Sequence, residues 1–328
     1  MNDAGMARLA GVELGGTKAV VVLGDDAGIA RRVRIEVSDA RETLRTIAGQ
    51  LAEWNRETPI EALGIAAFGP IGINPDRPDY GHVLNTPKPG WEGADVVGSL
   101  GSVIDGPVAL HTDVTAAALA EGRWGAAKGC SDYAYMTVGT GVGVGIIAAG
   151  EPLVGQLHPE AGHMQIPRRA GDDFNGSCPF HGDCLEGLAS GSAIEARAGV
   201  AGEDLADDDP SWPFVIDAIA SGCANLLLVL ASQRIVLGGG VINARRRLVD
   251  EIAERCAEML GGYLPFVGER APIAGAELGQ DAGPRGSLLL AGKALNSAGL
   301  RNGDGGVFRR RRSGTATFRA LRAGSKPR

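Results

Sequence analysis

Two stretches of the chain share one arrangement of apolar and glycine positions. Leu9-Ala-Gly-Val-Glu-Leu14 is an apolar run that enters Gly15-Gly16-Thr17 and leaves through Lys18-Ala-Val-Val-Val-Leu23. Ala134-Tyr-Met-Thr-Val138 enters Gly139-Thr140-Gly141 and returns as Val142-Gly-Val-Gly-Ile-Ile-Ala148. Short apolar runs bounded by glycine turns predict paired β-strands. Each hairpin is followed, later in its half, by another strand ending in glycine: Leu63-Gly-Ile-Ala-Ala-Phe-Gly-Pro70 and Arg234-Ile-Val-Leu-Gly-Gly-Gly240. One such turn by itself is an ordinary hairpin. The repeated plan predicts a duplicated α/β unit, and glycine turns whose N–H groups approach an anion are candidate phosphate cradles on two sides of one cleft. The chain has no Gly-x-x-x-x-Gly-Lys-Ser/Thr loop, and no Gly-x-Gly-x-x-Gly opens a helix after the first strand.

Helical patterns fill the spaces between. Val108 to Thr112 reads as a short strand running into an Ala/Leu-rich helix that reaches Gly122, with Asp113 at the junction. Asp113 there is either a helix cap or a carboxylate facing the crevice at the C-terminal end of a strand. Asp217 to Leu230 predicts a buried helix, and Ser287 to Leu295 a closing one. At 328 residues, with 44% hydrophobic residues, 51 glycines and 5% aromatics, the chain has material for two turn-rich α/β domains. No apolar run is expected to reach the roughly 20 residues that span a bilayer. The start, Met1-Asn-Asp-Ala-Gly-Met-Ala-Arg8, lacks a signal-peptide pattern, so a cytoplasmic location without a membrane partner is expected.

Charge divides the chain. Residues 301–328 hold nine Lys or Arg against Asp304, a net of +8, so the remainder carries −15 of the total of −7. The tail is expected to be disordered. An arginine run such as Arg309–Arg312 can hold nucleic acid, but the acidic body argues against nucleic acid as a main partner.

The five cysteines do not suggest a disulfide framework. Cys178-Pro-Phe-His181-Gly-Asp-Cys184 instead spaces three zinc-type ligands through a Gly/Pro loop. His163 is the first choice for a fourth ligand and His158 the second, and a four-ligand site would be structural. Glu160 and Glu186 stand beside these ligands in sequence and are further candidates for a crevice.

Leu14-Gly-Gly-Thr-Lys18, Asp113 before its alanine-rich helix, Val138-Gly-Thr-Gly141, Glu160-Ala-Gly-His163, the loop ending in Cys184-Leu-Glu186, and Val236-Leu-Gly-Gly-Gly240 occur in one order. In this the chain resembles the ROK family of bacterial sugar kinases and related repressors over residues 9 to 298. Thr86-Pro-Lys-Pro-Gly-Trp91, Phe68-Gly-Pro-Ile71, His158-Pro-Glu160, Asp172-Asp-Phe174 and Gly187-Leu-Ala-Ser-Gly191 resemble its fructokinases. The resemblance implies a duplicated actin-like, ribonuclease-H-like fold. Its domains are expected over 1–117 and 118–300, with a helix at 286–298 packing back on the first domain and the tail following.

The same resemblance implies ATP-dependent phosphorylation of D-fructose at the 6-hydroxyl, with Asp113 as general base. Glu160, His163, Glu186, Gly69 and Thr86 would meet the sugar. Gly15, Gly16, Thr17, Lys18, Gly139, Thr140 and Gly141 would surround the phosphates, with Mg²⁺ accompanying ATP, and Gly238, Gly239 and Gly240 would form a flat wall for adenosine. His163, Cys178, His181 and Cys184 would hold a structural Zn²⁺, and a homodimer is implied. A glucokinase or mannokinase is the nearest alternative. A non-catalytic sugar-sensing repressor is the more distant one, since the first strand starts near residue 9 and leaves no room for a helix-turn-helix. Two departures from the family pattern, Thr115 for Asn and Ser192 for Pro, are expected to tune the fit of sugar or nucleotide.

Overall fold

In the computed structural model, which describes residues 8–25, 27–202 and 204–303, two five-stranded sheets repeat one topology. The first contains β1 (Leu9–Leu14), β2 (Lys18–Asp25), β3 (Gly28–Glu36), β4 (Ala62–Ala67) and β5 (Val108–Thr112) in the order β3-β2-β1-β4-β5. The second contains β6 (Tyr133–Val138), β7 (Val142–Ala148), β8 (Glu151–Pro152), β9 (Arg234–Gly238) and β10 (Ile273–Gly275) in the order β8-β7-β6-β9-β10. In both, the first three strands are antiparallel neighbours and the last two join in parallel. The duplication expected from the two hairpins is therefore a duplication of whole sheets.

Strand alternation sends side chains to two faces. Ala134, Met136 and Val138 enter the C-terminal core, while Tyr133 and Tyr135 enter the layer between the sheets. Outer faces are covered by helices. α1 (Ala40–Glu57) begins where the Asp39 carboxylate accepts the Glu42 N–H at 3.0 Å, and it buries Leu44, Ile47, Leu51 and Trp54 against the first sheet. α2 (Val96–Gly101) adds Val96 and Leu100 to that core. The second sheet is backed by α4 (Leu185–Ala189), α5 (Gly191–Ala198), α6 (Trp212–Leu230), α7 (Gly240–Ala244) and α8 (Arg247–Leu260). At 19 residues, α6 is long and apolar enough to cross a membrane, contrary to expectation. Its span is mostly inside the C-terminal core, and Asp217 within it pairs with Arg169 and Arg255 at 2.8 Å.

Two helices lie between the sheets: α3 (Asp113–Trp124) and α9 (Ala282–Gly303). Glycines make this layer thin. A Cβ on Gly64 of β4 would stand 1.9 Å from the Ser287 carbonyl oxygen of α9. One on Gly286 of α9 would stand 2.0 Å from that of Ala116 in α3, and one on Gly145 of β7 2.3 Å from that of Val114. Sheet, helix, helix and sheet thus meet backbone to backbone. The returning helix packs back as expected but is longer than 286–298, and residues 301–303, assigned to the tail, are its last turn. The rest of the tail, 304–328, lies outside the described residues. The boundary expected at 117/118 falls within α3, which contacts both sheets.

Gly64→Ala should therefore destabilise the protein by about 2–4 kcal/mol through overpacking in denaturant titration. Gly49→Ala, at an exposed point of α1 with open space around its Cα, should stabilise it by about 0.5–1 kcal/mol.

Candidate functional site

The parallel registers align three strand ends. Leu14 pairs with Ala67, and Ala67 pairs with Thr112, so Gly15, Phe68 and Asp113 leave the sheet side by side. Neighbouring strands are about 4.8 Å apart, so this row spans about 10 Å. The second hairpin reaches the same place, because β7 packs on the first turn of α3 through Gly143 and Gly145 against Val114. Asp113 therefore stands between Gly15–Thr17 on one side and Gly139–Gly141 on the other.

Thr112, not Asp113, caps α3. Its hydroxyl oxygen accepts the Thr115 N–H at 3.3 Å, and its hydroxyl donates to Thr115 Oγ1 at 2.8 Å. Asp113 Oδ1 accepts its neighbour's N–H, from Val114, at 2.8 Å. Loss of solvation pushes the Asp113 carboxyl up to about 6, despite those backbone hydrogen bonds. Of the two departures from the family pattern, Thr115 is buried and bonded to the capping Thr112, and Ser192 reaches the second glycine hairpin, donating to the Thr140 carbonyl at 2.9 Å.

Glu13, beside the first hairpin, is a site carboxylate that sequence reasoning missed. Burial pushes it up to about 7, Asp113 pushing further and Lys18 and Arg32 pulling back. A lone acid in an apolar strand that ends at a glycine turn was the available signal. His111 was missed too: it is buried, held down to about 4 by desolvation, and its Nε2 has no protein partner among the described residues.

Across the cleft, Glu160 lies over Gly69, its Oε1 3.2 Å from where a Cβ would stand. Desolvation, then the charges of Glu186 and Asp113, raise Glu160 to about 7. Glu186 enters α4 and its Oε2 accepts the Val142 N–H at 3.0 Å, tying the second hairpin to the Cys/His loop. Thr86 Oγ1 accepts the Lys88 N–H at 3.3 Å.

The four ligands expected for metal come together. Cys178 Sγ is 3.6 Å from His163 Nδ1 and 3.7 Å from His181 Nδ1, and Cys184 Sγ is 3.6 Å from His163 Nδ1. Tetrahedral zinc, with Zn–S of about 2.3 Å and Zn–N of about 2.0 Å, sets sulfur–nitrogen separations of about 3.6 Å. His158 is elsewhere: its Nε2 accepts the Ile71 N–H at 3.2 Å, so it holds the Gly69–Ile73 loop and does not join the thiols.

The two glycine hairpins differ in their support. Gly15 N–H donates to the Lys18 carbonyl at 3.0 Å, while Gly139 N–H donates to that of Gly141 at 2.9 Å and its own carbonyl takes the Gly191 N–H at 2.6 Å. Gly16 has open space at its Cα. The three glycines at 238–240 differ in their surroundings. Gly238 is buried, with the Tyr135 hydroxyl 2.4 Å from where a Cβ would stand, and Gly239, at φ +90°, abuts the backbone of Val138. Their bare Cα atoms serve strand packing, and Gly240 alone of the three opens onto space.

Comparison with known proteins agrees with this geometry. A family model described as the ROK family matches residues 9–294. A fructokinase from Pediococcus pentosaceus is 42% identical over 291 residues, which is 88% of this chain and 99% of that protein. The crystal structure of a ROK hexokinase from Thermus thermophilus superposes with a TM-score of 0.73 at 27% identity, covering 88% of this chain and 99% of that one. A ROK glucokinase from Streptomyces griseus, solved in complex with glucose and AMPPNP, gives 0.67 at 25% identity, covering 87% and 99%. With the family model spanning most of its length, this chain belongs to the ROK family.

Proposed function

We propose that this protein is an ATP-dependent fructokinase that transfers the γ-phosphoryl group to the 6-hydroxyl of D-fructose in the cytoplasm. The observation that carries this reading is the desolvated carboxyl of Asp113 at the end of a strand row flanked by two glycine hairpins. Similarity at 42% to a fructokinase over 88% of the chain supports fructose as the acceptor. The AMPPNP bound to the Streptomyces griseus glucokinase supports a nucleoside triphosphate as donor. The free cysteines accord with a reducing compartment.

The sugar lies on the Glu160, Glu186 and His163 side. Asp113 takes the proton of the 6-hydroxyl as its oxygen bonds to the γ-phosphorus and the bond to the ADP oxygen breaks. The hairpin N–H groups hold the phosphates, and exclusion of water from the cleft limits hydrolysis. Glu13 offers hard carboxylate oxygens of the kind that Mg²⁺ takes, and that ion, when bound, would neutralise phosphate charge. His163 links the metal loop to the sugar side, with Nδ1 toward the thiols and Nε2 as its other ring nitrogen. Zn²⁺, when bound, staples that loop and sets the tilt of His163.

Purified protein with ATP, Mg²⁺ and a panel of fructose, mannose, glucose, N-acetylglucosamine and N-acetylmannosamine should release ADP fastest with fructose. A different leading hexose would replace the acceptor and leave the kinase standing. Asp113→Asn should lower kcat by about 10²-fold or more while sugar affinity is kept. A general base works deprotonated, so kcat/KM of the wild type should fall as pH drops through about 6, the value to which burial raises Asp113. An Asp113→Asn variant with near-normal turnover would assign the proton to another group. Elemental analysis should find about one zinc per chain, lost in Cys178→Ala or Cys184→Ala and retained in His158→Ala. Retention in both cysteine variants would refute the ligand set.

A further inference from the structure

Beside the strand-end row that carries Asp113, a lysine from a separate loop reaches in, and neither the fold nor the family resemblance gives it a task. Lys88 lies in the Thr86–Trp91 loop of the N-terminal domain. That loop is fixed: the Trp91 indole is fully buried, its Nε1 donates to the Ser38 carbonyl at 2.9 Å, and its ring meets Phe68 edge-on with centroids 5.0 Å apart. From this base the Lys88 side chain reaches back to the first phosphate hairpin, where Nζ donates to the Gly16 carbonyl. The same ammonium is 5.7 Å from the ring centroids of both Phe68 and Trp91.

The partners of this charge are all neutral: one carbonyl and two aromatic faces. Among the described residues it forms no ion pair with a carboxylate, although Glu13, Asp113, Glu160 and Glu186 line the same cleft. Partial burial lowers its pKa. Such a group gains most from an anion that arrives later. Its position selects the anion. Gly16 follows β1 and Phe68 follows β4, and these strands end in register with the one that delivers Asp113. An ammonium held against Gly16 and Phe68 is therefore beside the first glycine hairpin, at the edge of the sheet where the strand delivering Asp113 also ends. It is mounted on a loop outside the phosphate hairpins.

We propose that Lys88 is a catalytic cation that donates to the oxygens of the phosphoryl group in flight, with the Gly16 carbonyl and the two rings holding it in place. This rests on the kinase reading. The sugar oxygen bonds to phosphorus, the bond to ADP breaks and the proton goes to Asp113. Lys88 stays protonated throughout, and its donors follow negative charge as it spreads over the phosphoryl oxygens.

The test compares wild type with Lys88→Met, Lys88→Arg and Lys88→Ala, measuring kcat, KM for fructose and ATP, ADP affinity by calorimetry and thermal midpoint. Removal of one preorganised donor at a developing charge lowers kcat by about 10²- to 10³-fold. Lys88→Met should show that loss with ADP and fructose affinities within about threefold of wild type. Lys88→Arg, which keeps the charge, should retain at least about tenfold more turnover than Lys88→Met, and ethylamine should restore Lys88→Ala saturably. Lys88→Met turnover within about threefold of wild type would overturn the proposal. So would equal losses in Lys88→Met and Lys88→Arg, with a lowered thermal midpoint in both and no response of Lys88→Ala to ethylamine, which describe a strut. A wild type that phosphorylates no hexose would instead remove the fructokinase reading, and that control is separate from the comparison among variants.

Discussion

Close approach of backbone to backbone between the two sheets is the constraint on which the site depends. Helices α3 and α9 separate the sheets, and at Gly64, Gly286 and Gly145 a single added carbon would collide with a carbonyl. The thin layer brings the N-terminus of α3 against β7 and so carries Asp113 into reach of both hairpins. A thicker layer, with ordinary side chains at those positions, would separate the two glycine turns and leave Asp113 beside only one. Sheets cannot deform gradually to absorb such a change, because packed interiors are nearly incompressible.

Within this frame the electrostatics follow from crowding. Glu13, Asp113 and Glu160 are each raised by loss of water, and Asp113 adds its charge to both of the others. The fold places these acids where each one's charge costs stability, a cost that active sites commonly carry because it tunes a base toward neutral pH. Thr112 makes this arrangement compatible with a stable helix. By taking the capping role it satisfies an N–H at the start of α3, and the neighbouring carboxylate remains available to the cleft.

The Cys/His loop and the Glu186 carboxylate form one assembly. His163 faces both thiols, Glu186 follows Cys184 by two residues, and the Glu186 carboxylate holds the N–H at the exit of the second hairpin. Whatever fixes this loop therefore acts on Glu186 and on the second glycine hairpin together. On the opposite wall, His158 reaches across to the Ile71 N–H, so the two halves of the cleft are joined by a neutral, buried imidazole.

Local sequence alone determined the duplicated strand and hairpin plan, the strand before Asp113, the buried helix near Asp217 and the clustering of Cys178, His181 and Cys184. Those features depend on alternation, glycine placement and spacing within a few residues, all of which are written along the chain. Tertiary structure alone decided that His163 rather than His158 stands with Cys178, His181 and Cys184, since both precede the loop in sequence. It also decided that Gly238 packs against Tyr135, that Thr112 is the cap, and that Glu13 meets Asp113. The partners in those cases are Tyr135, Asp113 and the backbone of neighbouring strands, brought close by pairing across long loops. Separation along the chain carries no record of such distances, which are fixed only when the sheets close on the two helices between them.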